Sequence, residues 1–103
     1  MTSVFNTALT GMRHNLHSVE TSARNVANVN TDGYRAQRYD PATGTTGPRY
    51  DGPEPTSSSE SPSDVDLATE LVDIKRHEIG YRANAIVIVA ANLMMGDLLD
   101  VLA

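Results

Sequence analysis

No cysteine and no tryptophan occur among the 103 residues, and phenylalanine appears once, at Phe5. The missing thiols exclude a disulfide framework and thiolate metal sites, and they leave every compartment open. Aromatics at 5% and hydrophobics at 40% describe an aliphatic, methionine-containing interior, the material of helical pairs and bundles rather than β-sandwiches. Positive charge is scarce where acids collect. From Asp40 to Asp73 there are eight acids against the single base Arg49. The first 39 residues instead hold four arginines against Glu20 and Asp32. With a net charge of −5, broad binding to nucleic acid or to anionic membranes is not expected. Long hydrophobic runs are also missing. The most apolar stretch, Ala85 to Met95, is shorter than the ~20 residues that span a bilayer, so no membrane insertion is expected. The opening "MTSVFNTALTGMRHNL" has no basic start and no continuous apolar centre, so no cleaved signal peptide is expected and the chain reads as soluble on synthesis.

What is present is sharply divided. All five prolines, Pro41, Pro48, Pro53, Pro55 and Pro62, lie between Asp40 and Ser63, together with Gly44, Gly47, Gly52 and the run Ser57-Ser58-Ser59. Such a composition predicts an extended or disordered connector that buries no apolar surface and holds no strand ladder. The expected organisation is therefore an amphipathic helix over residues 1–30, a turn and linker over 31–63, and a second amphipathic helix over 64–103. The fold class is all-α, with the two helices pairing antiparallel as a coiled-coil hairpin, and an oligomer is expected.

In the first segment Phe5, Leu9, Met12, Leu16, Val19, Ala23 and Val26 follow one another at steps of four and three. That spacing is an uninterrupted heptad seam, with Thr2 or Ser3 in place to cap it. In the second, Ser63 stands three residues before Asp66, a capping-box spacing, and acids crowd the helix start. Leu67, Leu71, Ile74, Glu78, Tyr81, Ala85, Ile88, Asn92, Met95, Leu99 and Leu102 then repeat the seam, broken only by Glu78 and Asn92, which are positioned to specify register or to face solvent. Past Gly80 a second stripe appears at Ile79, Ala83, Ile86, Ala90 and Leu93. One partner helix cannot cover both stripes. An uncovered apolar stripe implies self-association or another protein partner.

Chemistry-bearing constellations are weak. His14 and His17 share a helix face at i, i+3, but no third ligand is spaced to join them and His77 lies on the other helix; they are expected to be solvated and to hold no metal. No nucleophile elbow and no phosphate loop occurs, so no cofactor and no catalysis is expected. Tyr34, Arg35, Arg38 and Tyr39 form only a small basic-aromatic patch without a wider basic stripe, which does not support nucleic-acid binding. In "NVANVNTDGYR", the helix continues to Val29, and Asn30-Thr31-Asp32-Gly33 ends it with residues that favour turns and left-handed backbone.

The phrases "ALTGM" and "NVANVNTDGYR" resemble the N-terminal motif of the bacterial flagellar rod and hook family, in which an amphipathic helix ends in an Asn-rich phrase. Asn25, Ala27, Asn28, Asn30, Thr31, Gly33 and Tyr34 fall on its positions, with Arg24 where the family often has another Asn. The C-terminal segment is similar to the same family at Asp66, Leu67, Glu70, Val72, Tyr81, Ala83, Asn84, Met94 and Met95. Tyr81 to Asn84 and the paired methionines lean toward the proximal rod type, in a form shortened where relatives carry a β-containing insert. The resemblance implies a structural subunit of the flagellar basal-body rod in the periplasmic space. It also implies recognition by the flagellar export apparatus, passage through the type III pathway, and assembly with copies of itself and other rod proteins through the terminal helices. An accessory or export-adaptor protein outside the rod is the alternative. Inter-subunit hydrogen bonding at the helix exit is the expected purpose of the three asparagines.

Overall fold

The computed structural model describes residues 2–49 and 62–102, as two long helices and a two-stranded hairpin in the order α1 (Thr2–Ala27), β1 (Gln37–Asp40), β2 (Thr45–Pro48) and α2 (Leu67–Leu102). The serine run and two of the five linker prolines, Pro53 and Pro55, expected as part of an extended connector, lie outside the described residues. At ~1.5 Å per residue the 36 residues of α2 run about 54 Å, most of the molecule's 70 Å length. The helices pack antiparallel, with Gly11 facing Asn84, Asn15 facing Gly80 and His77, and Asn25 facing Glu70.

Helix ends are set by particular side chains. Thr2 already lies inside α1, so neither Thr2 nor Ser3 caps it from outside. At the other end α1 stops at Ala27, two residues before the expected Val29. The Asn28 side chain donates to the Arg24 carbonyl (2.9 Å), and Gly33 takes a left-handed φ of 77° that a side chain would oppose. α2 begins at Leu67 rather than at 64, because Asp66, not Ser63, is its cap. The Asp66 carboxylate accepts from the Ala68 and Thr69 amides at 3.0 and 3.4 Å, while the Ser63 hydroxyl accepts from Val65 (3.0 Å) in a turn outside the helix.

The all-α expectation needs correcting between the helices. Residues 37–48 hold an antiparallel ladder, pairing Gln37 with Pro48 and Asp40 with Thr45. The residues that argued against a ladder instead build its turn. The Asp40 side chain accepts from the Ala42 amide (2.9 Å), Pro41 fixes its own φ, and Gly44 turns left-handed at 71° while donating to the Asp40 carbonyl (2.8 Å). Gln37 and Tyr39 turn toward α1, and Arg38 and Asp40 face water.

The line of closest approach between the helices is not their apolar seam. It runs one position to the side, through Ala8, Gly11, Asn15, Ser22 and Asn25 against Glu70, His77, Gly80, Asn84 and Ala91, a stripe of small and polar groups. Among the described residues only Ala8, Ala36 and Ala91 are buried hydrophobics. At about 0.8 kcal/mol per buried carbon, three methyl groups are a small driving force for a chain with two long helices. Polar contacts and close helix approach hold this fold, and most large apolar side chains stay at its surface.

Candidate functional site

Where α1 ends, four chain segments meet on one side chain. Asn25 is wholly buried, and its amide makes every hydrogen bond open to it. The nitrogen donates to the Gln37 carbonyl (2.8 Å) and to Glu70 Oε1 (3.0 Å). The oxygen accepts from the Tyr34 hydroxyl (3.1 Å) and from the Gln37 amide (2.9 Å). Glu70, on the first turn of α2, is also wholly buried. Its Oε1 meets the Arg49 guanidinium at 2.9 Å, and Arg49 reaches on to Asp73 at 3.2 Å. Among the described residues, Glu70 Oε2 is buried without a hydrogen-bond partner. Nearby, Ala36 donates to the Asp64 carboxylate and accepts from the Arg49 amide (2.8 Å), joining the α2 approach to the hairpin. Burial holds the Tyr34 phenol above its ordinary range, and the negative charge of Glu70 pushes it the same way.

Midway along the pair, two Gly-x-x-x-Asn units face each other. Asn15 donates to the Gly11 carbonyl (3.0 Å) and lies against Gly80; Asn84 donates to the Gly80 carbonyl (3.1 Å) and lies against Gly11. A Cβ on Gly11 would stand 2.7 Å from the Asn84 amide nitrogen, and one on Gly80 would stand 2.9 Å from that of Asn15. Bare backbone is what allows this approach. Outside the pair, Tyr39 of β1 stacks on His17 (5.2 Å between rings), and its hydroxyl is 2.8 Å from His14 Nδ1. The two histidines expected to be solvated therefore seat the hairpin on α1. Among the described residues no group of three acids or histidines is placed to hold a metal.

The sequence-predicted residues divide by face. Phe5, Met12, Val19 and Val26 of α1 are half-buried, as are Ile74 and Ile88 of α2, while Leu9, Leu16, Leu67, Leu71, Tyr81, Met95 and Leu99 are exposed. Leu16, Val19, Ile74 and Tyr81 come together around an apolar groove of about 320 Å³ on one flank of the pair. All of Ile79, Ala83, Ile86, Ala90 and Leu93 are exposed, Ile86 at 68%. Past Ala91 every residue of α2 from Asn92 to Leu102 is exposed. Glu78 spends its carboxylate along its own helix, on Arg82 (2.8 Å) and Lys75 (3.7 Å). By length and composition α2 is apolar enough to cross a membrane, a property its longest uninterrupted apolar run does not reveal.

Of the motif residues, Asn25 and Asn28 bond within the chain through their amides, and Asn30 is exposed. Gly33 and Tyr34 shape the exit, and Asn84 belongs to the clasp with Gly11. Sequence reasoning missed Arg49, Asp64 and the Gly11/Gly80 pair. The signals were there: Arg49 is the lone base among eight acids, and Gly-x-x-x-Asn occurs once in each helix.

The stretch that builds this exit is also the one that matches known proteins. Residues 5–35 fit the model of a family described as flagella basal body rod protein. A comparison with curated proteins finds no match to the chain. Through α1 and its exit, over residues 5–35, the chain is similar to the flagella basal body rod protein family.

Proposed function

We propose that the protein is a structural subunit of the bacterial flagellar basal-body rod, most like the proximal rod type in a shortened form, and that it works by assembly rather than catalysis. The observation that carries this reading is the match over residues 5–35, on the helix and exit whose polar node is described above. A second physical fact supports it. The helix pair buries a small and polar stripe and leaves Leu9, Leu16, Ile79, Ile86, Leu93 and the whole end of α2 facing outward. Exposed apolar surface of that extent suits a chain whose covering comes from its neighbours.

In this reading copies of the chain and other rod proteins cover those faces through coiled-coil contacts between terminal helices. The chain reaches the periplasmic space through the flagellar export apparatus by the type III pathway, without a cleaved signal. Export suits a molecule with so small a core, because ordering is deferred until partners are met. The apolar length of α2 serves protein contact rather than lipid, since its Glu70, His77, Gly80 and Asn84 face α1.

Purification of basal bodies tests the proposal. The protein is expected in the rod fraction at a fixed ratio to other rod components, and cells lacking it are expected to stop before hook assembly. Protein found only in cytosol would leave the accessory or adaptor role instead. Membranes that keep it after alkaline carbonate extraction would point to lipid as the partner of α2.

A further inference from the structure

We propose that Glu70 makes pairing of the two helices conditional on docking of the β-hairpin. Its carboxylate is wholly buried against α1, yet α1 offers it only one neutral donor, the Asn25 amide at 3.0 Å. The compensating positive charge arrives from neither helix. It comes from Arg49, directly after β2, whose guanidinium stands 2.9 Å from the same oxygen and whose backbone is tied to Ala36 beside β1 (2.8 Å). The orientation of Asn25 also depends on that segment, because both of its ends bond to Gln37 of β1.

Among the described residues the remaining carboxylate oxygen has no hydrogen-bond partner, so Arg49 and Asn25 carry the whole compensation of this carboxylate. A buried charge stripped of its counter-ion is far costlier than an uncharged group of the same shape, and the helix seam around it, with so little apolar burial, cannot absorb that cost. With the hairpin undocked, Glu70 opposes closure. With it docked, Arg49 bridges Glu70 and Asp73 across one turn of α2 and closure proceeds. The fold thus carries an interlock: one charged side chain lets the short hairpin govern the long helices.

Hydrogen exchange on the full-length chain tests this with three variants. Arg49→Met is expected to lower protection by about a hundredfold or more, at seam amides such as Ser22 and His77 and at hairpin amides such as Arg38 together. Glu70→Gln keeps an acceptor for Asn25 and is expected to hold both regions closed. The combination Arg49→Met with Glu70→Gln is the decisive case. It is expected to restore the seam while the hairpin continues to exchange quickly, because the helices no longer wait for a counter-charge. Seam protection unchanged in Arg49→Met, or a combined variant no better than Arg49→Met alone, would overturn the interlock.

Discussion

Gly11 and Asn84 stand so close that a single methyl on the glycine would fall 2.7 Å from the asparagine amide, and Gly80 repeats the relationship with Asn15 on the other side of the crossing. Each asparagine is held by its own helix through the carbonyl four residues back, so neither amide is free to swing aside without losing a bond. Gly96 is also helical, but among the described residues nothing lies within 4 Å of the place a Cβ would occupy.

The three glycines therefore respond in opposite directions to alanine. Gly96→Ala gains helix propensity and is expected to raise stability by about 0.5–1 kcal/mol. Gly11→Ala and Gly80→Ala gain the same propensity but overpack the crossing, and each is expected to lower stability by about 1–3 kcal/mol. Thermal melts followed by circular dichroism separate the signs. A rise in midpoint for all three would show that the crossing relaxes freely.

Asn25 holds four bonds at once, so its removal strands several partners. Asn25→Ala leaves the Gln37 amide, the Tyr34 hydroxyl and Glu70 short of one partner each, at an expected cost of about 3 kcal/mol. Asn25→Asp removes both donors and sets a second carboxylate against buried Glu70, so it is expected to be the worse of the two despite its matching shape. Denaturant titration gives the ranking. An aspartate variant as stable as the parent would show that the node tolerates charge.

Acidification acts on the seam through His77. Burial lowers its pKa from the ordinary 6.5, with Arg76 adding to the fall and Asp73 opposing it. The folded pair therefore binds the proton less readily than the unfolded chain. The stability due to neutral His77 is complete above 6.5 and is lost as the pH drops below it. His77→Gln, which retains a donor for Asn15 Oδ1, is expected to flatten the decline in melting midpoint between about pH 7 and about pH 5. Parallel declines in both proteins would acquit His77.

Two substitutions distinguish inward from outward faces of α2. Ala91→Asp places a charge at a buried position beside α1 and is expected to disrupt the pair itself. Ile86→Asp changes a side chain that is 68% exposed, so the isolated chain is expected to keep its helicity while losing self-association by light scattering. Unaltered association in Ile86→Asp would mean that this stripe is not a contact.

Periodicity carried the two helices, because a seven-residue apolar repeat is a local property that survives without knowledge of the partner. It misjudged which stripe turns inward. The largest apolar side chains mark where a helix seeks cover, but bare Gly11 and Gly80 mark where backbones meet, and hydropathy weighs glycine lightly. The hairpin was hidden for another reason. Its strand "TTGP" has no alternating pattern, and its seat is made by His14 and His17, more than twenty residues away from Tyr39 in sequence. The Asn-rich exit was recognisable by spelling, yet the purpose of Asn25 became legible only when Gln37 and Glu70 arrived beside it.

The unequal length of the two helices gives the molecule a cohesive end. From Asn92 to Leu102, all eleven residues at the end of α2 are exposed, and most of them lie past the start of α1 in the antiparallel register set by Asn25–Glu70 and Gly11–Asn84. A helix that short is below the ~12–15 residues that stand alone, so its order is borrowed from the paired portion behind it. Like the single strand at the tip of a cut duplex, it frays at little cost and gains most when laid against something else.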